Sequence, residues 1–178
     1  MYRLHYTEET VRELFYYQRL YFECRQNHQY TGNIKLKILH RSFRFASEMK
    51  IIFDEFISLY FILNYHKQNN KWPTKISIDS IGAYLSDKNT IKYDLFEKHK
   101  DLIITTNNIG NAIKHSFVNS ETTWLRNDAK TPVLLAYRQK QNDTKNPIVF
   151  HGIELPNYLD LLNAFLPEFN YDVKNNYT

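Results

Sequence analysis

The sequence predicts a mainly α-helical protein, a helical bundle with a C-terminal β-hairpin and a final helix. Two observations indicate helices: the 178 residues contain only 4 glycines and 5 prolines, and apolar residues recur at helical spacing over long stretches. A third observation, a change to strand-like sequence near residue 130, places the hairpin. We predict a single domain over 1–178, with a helical core at 7–120 and the hairpin plus final helix at 130–168.

The first helix is predicted at 7–28. Thr7 is expected to be its N-cap, because a threonine hydroxyl can accept a free backbone N–H of the first turn. Its buried stripe is expected to consist of Val11, Leu14, Phe15 and Phe22, and to be widened by Tyr17, Leu20 and Tyr21.

A second, much longer helix is predicted at 34–67, where neither glycine nor proline interrupts the apolar spacing. At ~1.5 Å per residue it would run about 50 Å, longer than a compact domain of this size requires. This length favours a bend, a break near 41–43, or a projection into a dimer. Its N-terminal half alternates basic and aromatic residues, from His40 to Phe45.

Residues 69–73 are predicted to form a loop, in which Trp72 is expected to pack over an edge of the core, as is Trp124. Residues 77–86 form either a short helix or an extended segment. A further helical region is predicted at 92–119. Gly110 lies inside it, and since a mid-helix glycine costs about 1 kcal/mol, we expect a close helix–helix approach or a bend there.

Two strands are predicted at 132–138 and 147–151, joined by a polar turn. Prolines at both strand starts, Pro132 and Pro147, would protect the edges from wrong pairing. The final helix is expected to begin at 155–156, with proline in its first turn, and to end at Pro167. The polar tail that follows is expected to fray.

Composition limits the classes of protein to which the chain can belong. Apolar content of 43% and charged content of 24% indicate a globular chain rather than a disordered one. The net charge of +4 permits a nucleic-acid partner without requiring one, because no block of basic residues occurs. Cys24 is the only cysteine, which excludes an intrachain disulfide and favours a cytoplasmic protein. Asp54 and Glu55 interrupt the longest apolar stretch, so no membrane partner is expected.

Cofactor and metal signals are weak. The four glycines lie too far apart to form a phosphate-binding loop. The seven histidines include no pair at the H-x-x-x-H spacing. We therefore expect no cofactor and no metal site.

The chemically richest stretch is 107–121. On a helix, residues three and four apart share a face, so Asn108, Asn111 and His115 would form one polar row. Lys114 and Ser116 would flank it. An apolar row would lie beside it, made of Ile109, Ile113 and Phe117. Such a helix places polar groups at the edge of a buried surface, where a binding site or a polar subunit contact is built.

Residues 110–115 read Gly-Asn-Ala-Ile-Lys-His and resemble the second half of the R-N-x-x-x-H motif of HEPN domains. Asn111 and His115 match that motif, whereas Gly110 stands where the family has arginine. The resemblance implies a helical homodimer of a bacterial toxin–antitoxin or phage-defence system, with RNA as its partner and with metal-independent ribonuclease activity.

The resemblance also implies roles for residues. His115 would assist proton transfer while a ribose 2′-hydroxyl attacks the adjacent phosphate, and Asn111 would orient it or bind phosphate. The missing arginine removes a planar cation that stabilises the phosphate. Lys114, Arg41 and Arg44 are the candidate RNA contacts.

A second hypothesis stays open beside the first. The chain is then a non-catalytic, dimeric interaction or scaffold protein with a degenerate HEPN motif, and its partner is an antitoxin or a defence component. The missing arginine and the modest charge favour it. In that case His115 is an ordinary helix histidine and Asn111 a polar group bonded to a neighbouring helix. Nucleotide binding without turnover is a weaker third hypothesis.

Overall fold

A computed structural model of the chain describes residues 2–115, 131–139, 145 and 147–177. Within these residues the architecture is mainly α, and the predicted fold class is confirmed. The elements follow in the order α1 (Tyr2–Gln26), α2 (Gly32–Asn69), α3 (Ile81–Leu85), α4 (Asp94–Lys98), α5 (Lys100–His115), β1 (Val133–Gln139), β2 (Ile148–Glu154) and α6 (Leu155–Tyr177). No helix in these ranges combines the length and the apolarity that a bilayer crossing requires.

The first helix differs from its prediction at both its start and its buried face. α1 begins at Tyr2, so Thr7 lies inside the helix, only 5% exposed, and the N-cap prediction is wrong. The predicted stripe is only partly right, since Val11 and Phe15 are partly buried. The fully buried row is largely polar and consists of Thr7, Thr10, Leu14, Gln18 and Tyr21. Apolar periodicity could not locate this row, because three of its five members are polar.

Helix α1 packs antiparallel against the N-terminal half of α2. The Nζ of Lys37 lies 5.1 Å from the centroid of the Tyr17 ring, a cation–π distance. The Arg41 guanidinium meets the Glu13 carboxylate through two contacts of 2.6 and 2.9 Å. The basic and aromatic half of α2 is therefore used in large part to hold α1.

Helix α2 is continuous, so the expected long helix is confirmed and no break occurs near 41–43. It ends where Asn70 adopts a left-handed conformation with φ 50°. Its C-terminal half packs parallel to α6. The ring centroids of Phe53 and Phe165 lie 5.1 Å apart, and those of Phe56 and Phe169 lie 4.4 Å apart. The helix is long because its two halves serve different partners.

The final helix continues beyond its predicted end. Pro167 lies inside α6, and the helix extends to Tyr177. A mid-helix proline removes the hydrogen bond to the carbonyl four residues earlier and costs about 3 kcal/mol. Phe165 and Phe169 flank the proline and are both buried against α2. Burial of these rings offsets the cost, which is why neither Pro167 nor the polar tail ends the helix.

The hairpin is confirmed. β1 and β2 pair antiparallel from Val133 opposite Glu154 to Gln139 opposite Ile148. Leu134 and Ala136 on its inner face are buried where the hairpin packs on α5. The backbone N–H of Leu155 donates to the Pro132 carbonyl at 2.8 Å, which ties the start of α6 to the start of β1. Most of the predicted turn between the strands lies outside the described residues.

The middle of the chain is more divided than predicted. Residues 77–86 contain the short helix α3, whose start is capped by the Ser80 hydroxyl, which accepts the Ala83 N–H at 3.3 Å. The helical region at 92–119 is split into α4 and α5, and its part beyond 115 lies outside the described residues. Trp72 is 61% exposed and stacks on His66, so its predicted packing over the core is wrong. Trp124 lies outside the described residues.

Gly110 confirms the expected close approach between helices. A Cβ built on it would lie 2.6 Å from Cδ and 2.9 Å from Cβ of Lys50 on α2. Ten residues after Lys50 on α2, Tyr60 contacts Phe96 of α4, the short helix directly before α5, with ring centroids 4.9 Å apart. These two contacts show that α5 runs antiparallel to α2 and points its C-terminal end toward the half of α2 that carries Arg41 and Arg44.

We expect Gly110→Ala to destabilise the protein by about 1–2 kcal/mol, although alanine favours a helix over glycine by about 1 kcal/mol. The added methyl group overlaps the Lys50 side chain close to its backbone. Gly82 in α3 is the matched control, since a Cβ there meets nothing within 4 Å. Gly82→Ala should be neutral or slightly stabilising in urea unfolding. Equal effects of the two substitutions would contradict the close packing at Gly110.

A buried hydrogen-bond chain joins α5 to α6. The Thr106 hydroxyl donates to the Leu102 carbonyl at 2.7 Å, and its oxygen lies 2.7 Å from the Tyr158 hydroxyl. Since the threonine proton is used, Tyr158 must be the donor in the second bond. Burial raises the pKa of Tyr158, so this proton is retained.

The direction of these bonds predicts unequal mutational costs. Thr106→Val leaves the buried Tyr158 O–H without its acceptor and should cost about 1–3 kcal/mol of unfolding free energy. Tyr158→Phe removes only the donor and should cost about 0.5–1.5 kcal/mol. Denaturant unfolding of the single and double variants measures both, and the double variant should resemble Tyr158→Phe with a modest further loss. A larger cost for Tyr158→Phe would reverse the assigned direction.

Candidate functional site

One face of α5 carries most of the candidate chemistry. Residues three or four apart along it form a single row, which we call the outer row of α5: Lys100, Ile104, Asn107, Asn111 and Lys114. Both lysines are exposed and the residues between them are half-buried. At ~1.5 Å per residue the row is roughly 21 Å long. It lies opposite the face of α5 that buries Leu102, Thr106 and Ile109.

Asn111 is held by its neighbour one turn earlier. Its Nδ2 donates to Oδ1 of Asn107 at 3.0 Å. The predicted row contained Asn108 instead of Asn107, and both are half-buried. The bond fixes the orientation of the Asn111 amide, so its carbonyl oxygen and second N–H have defined directions. Asn107 was missed because both spacings, three and four residues, are compatible with a helix.

The other motif residues lie at the end of the same helix. Lys114 is exposed on the outer row. His115 is the last residue of α5, and its side chain is outside what the structure describes, as are Ser116 and Phe117. Ile109 is buried and Ile113 partly buried, in agreement with the predicted apolar row.

The position of the missing motif arginine is used for packing. Gly110 is buried against the Lys50 side chain, which leaves no room for a larger residue without displacement. Lys50 is only 15% exposed, and its Nζ lies 3.4 Å from both carboxylate oxygens of Asp54. A cationic side chain from α2 therefore covers position 110. The sequence did not indicate it, because the two residues are far apart in the chain.

The two candidate arginines of α2 differ in their surroundings. Arg41 is about one-third exposed and its charge is matched by Glu13 of α1 through a two-pronged contact. Arg44 is exposed, one turn further along α2. The structure thus brings Asn111 and Lys114 together on α5, and it engages Arg41 in holding α1.

A second charged cluster lies where α6 meets the junction of α4 and α5. Lys98 Nζ lies 2.8 Å from the Glu168 carboxylate, and Nε2 of the His99 ring lies 3.1 Å from it. A surface cavity of about 550 Å³ adjoins the cluster and is lined in part by Asp94, Pro167 and Glu168. The Lys98 ammonium, followed by the His99 hydrogen bond, lowers the pKa of Glu168 from its ordinary value of 4.5.

Within the described ranges, no three His, Cys, Asp or Glu side chains are grouped so that they could hold a metal ion. A scan against protein-family models, a search of curated proteins and a search of solved structures each find no match. The resemblance to HEPN domains therefore rests on Asn111 and His115 and stays a prediction.

The Glu168 cluster predicts a pH dependence of stability. A carboxylate whose folded pKa is lowered stabilises the fold above pH 4.5 and loses that contribution as the pH falls below this value. Glu168→Gln should therefore lower Tm at neutral pH and flatten the decline of Tm below pH 4.5. Lys98→Gln should flatten it in part. The test is to measure Tm by thermal unfolding at a series of pH values from neutral to acidic. Plots of Tm against pH that run parallel for the wild type, Glu168→Gln and Lys98→Gln would refute the prediction.

Proposed function

We propose that this protein is a HEPN-like protein that binds RNA along α5 and cleaves it without a metal ion. The observation that carries the proposal is the outer row of α5, in which Asn111 is held by Asn107 in the turn before the end of the helix at His115. A pre-oriented amide beside a helix-terminal histidine is a suitable pair for a phosphodiester. The histidine moves the proton and the amide binds a phosphate oxygen.

The proposed reaction needs no group beyond these residues, the RNA and solvent water. His115 takes the proton of a ribose 2′-hydroxyl, whose oxygen then attacks the adjacent phosphorus. The bond to the 5′-oxygen of the next nucleotide breaks, that oxygen takes up a proton from solvent water, and His115 releases the proton it accepted to solvent. The products are a 2′,3′-cyclic phosphate and a free 5′-hydroxyl. Lys114 supplies an exposed positive charge on the same row for the phosphate.

The replaced arginine sets an expectation for the rate. Lysine is a compact point charge and cannot form the two parallel bonds that an arginine fork makes with a phosphate. We therefore propose that cleavage is slower than a complete motif would allow. Arg41 contributes little in this proposal, because its two-pronged contact with Glu13 holds the guanidinium group against α1.

The alternative, a non-catalytic dimeric interaction protein of a toxin–antitoxin or defence system, has support of its own. Gly110 serves packing rather than phosphate binding. The outer face of the hairpin also exposes apolar side chains, with Phe150 66% and Ile148 48% exposed. This hypothesis expects no RNA cleavage and a protein complex whose affinity changes little with salt.

The deciding experiment is incubation of the purified protein with labelled total RNA and tRNA, with and without EDTA, followed by a denaturing gel. We expect cleavage that persists in EDTA and falls about 10²- to 10⁴-fold in His115→Ala, the usual contribution of a general acid–base group. Asn111→Ala should reduce the rate less. The matched control is Asn64→Ala, which removes a half-buried asparagine near the C-terminal end of α2, away from the motif, and should leave the rate unchanged.

Two results would count against the ribonuclease proposal. Cleavage that is undiminished in His115→Ala would mean that the activity comes from another residue or a contaminant. The absence of cleavage by the wild-type protein would favour the interaction hypothesis, which sedimentation of the protein with and without candidate partners would then examine.

A further inference from the structure

A cleft of about 530 Å³ lies at the other end of α5 from the motif. Its walls include Ser86 and Asp87 from the turn after α3, Lys92 from the segment before α4, and Lys100 and Ile104 from α5. The polar groups that line the cleft are the ammonium groups of Lys92 and Lys100, the Ser86 hydroxyl, the Asn89 amide and the Asp87 carboxylate. That chemistry suits an anion more than a cation or an apolar ligand.

The turn that carries Lys92 is firmly braced. The Asn89 side chain donates to the carbonyls of Tyr84 and Ile91, at 2.8 and 2.9 Å, and accepts the Ile91 N–H at 3.0 Å. The Lys92 Nζ lies 3.3 Å from the Tyr84 carbonyl and 5.1 Å from the centroid of its ring. Lys92 is therefore held at the cleft before any ligand arrives, which lowers the entropic cost of binding.

Lys100 is positioned by a second network. Its Nζ lies 2.9 Å from Oε2 of Glu97, and Oε1 of Glu97 accepts the hydroxyl of buried Tyr84 at 3.0 Å. The hydrogen bond from Lys100 lowers the pKa of Glu97, and burial raises the pKa of Tyr84. An ammonium group has three N–H donors, and this contact uses one of them. Lys100 can thus bind a phosphate oxygen while it stays bonded to Glu97.

The cleft is continuous with the proposed RNA site. Lys100 and Ile104 in its wall are the first two members of the outer row of α5, and Asn111 and Lys114 are the last two. The outer row is about 21 Å long, with an exposed lysine at each end and half-buried residues between them, and it connects the cleft to the motif. An extended strand with several phosphates can contact both ends at once, whereas a mononucleotide cannot.

We infer that the cleft between Lys92 and Lys100 is a phosphate subsite that binds the backbone of single-stranded RNA several nucleotides away from the position cleaved at Asn111 and His115. This inference rests on the proposed RNA-binding function and adds to it the path that the RNA strand follows along α5. Its affinity is electrostatic and independent of base sequence, because lysines bind phosphates as point charges.

The salt dependence of binding tests the subsite directly. The probe is a fluorescently labelled 12-nucleotide 2′-O-methyl oligouridine, which cannot undergo 2′-hydroxyl attack. Its Kd is measured by fluorescence anisotropy over a series of salt concentrations. For single strands each neutralised phosphate contributes about 0.7 to the slope of log K against log salt. The Lys92→Gln/Lys100→Gln variant should therefore lose about 1.4 from the slope and bind about tenfold more weakly at low salt.

The matched control is Lys71→Gln/Lys75→Gln, which removes the same charge from two exposed lysines between α2 and α3. It should keep the wild-type slope. Lys92→Arg/Lys100→Arg retains both charges and should restore most of the slope, which separates loss of a phosphate contact from loss of folding. Thermal unfolding of each variant confirms that it is folded.

A dinucleotide substrate provides the geometric test. It can occupy only the motif end of α5, so its cleavage rate should be the same for wild type and the Lys92→Gln/Lys100→Gln variant. With a 12-nucleotide RNA the same variant should raise KM several-fold and leave kcat unchanged.

The failures of the two proposals are distinguishable. If the ribonuclease proposal is wrong, no cleavage that depends on His115 is observed. The slope of log K against log salt for oligonucleotide binding still tests the cleft in that case. The subsite is overturned if the cleft variant and the lysine control have the same slope and Kd, or if the wild-type protein does not bind the oligonucleotide.

Discussion

The packing of aromatic rings between the C-terminal half of α2 and α6 is the interaction on which the rest of the structure depends. Phe53 and Phe56 meet Phe165 and Phe169 at ring-centroid distances between 4.4 and 5.9 Å. Ring pairs of this kind contribute about 0.5–1.5 kcal/mol each beyond the burial of their area. They keep α6 helical past Pro167. Helix α5 then packs against both helices, because its Gly110 contacts α2 and its Thr106 contacts α6. The hairpin then packs on α5.

Helix α5 carries the proposed site, and its two faces have different constraints. The inner face must approach α2 closely, and Gly110 allows this by leaving room for the Lys50 side chain. An arginine at that position would conflict with the packing. The outer face has no such constraint and carries the Asn107 and Asn111 pair between two exposed lysines. The HEPN-like motif that we propose would therefore operate without its arginine and use charges from other positions.

In the RNA complex that we propose, α5 rather than α2 is the binding element, because cations of α2 are engaged within the fold. On α2, Arg41 is engaged by Glu13, and Lys37 lies over the Tyr17 ring, so these cations hold α1. On α5 and the turn beside it, Lys92 is held by the carbonyl and the ring of Tyr84, and Lys100 is held by the Glu97 carboxylate. Positively charged groups that are pre-positioned along one face suit a phosphate backbone, which needs several regularly placed contacts rather than one strong contact.

The sequence by itself determined the elements whose signals are local. The spacing of apolar residues located α2 and the hairpin, the scarcity of glycine and proline indicated a mainly helical chain, and the mid-helix Gly110 indicated a close approach. The tertiary structure alone decided the end of α6, the Lys50 side chain over Gly110 and the cleft between Lys92 and Lys100. The reason is physical. The end of α6 and the packing at Gly110 depend on residues distant in the chain, whose contact energies outweigh the local preference of a proline or a glycine. The cleft depends on the path of the turn between α3 and α4, which apolar spacing does not specify.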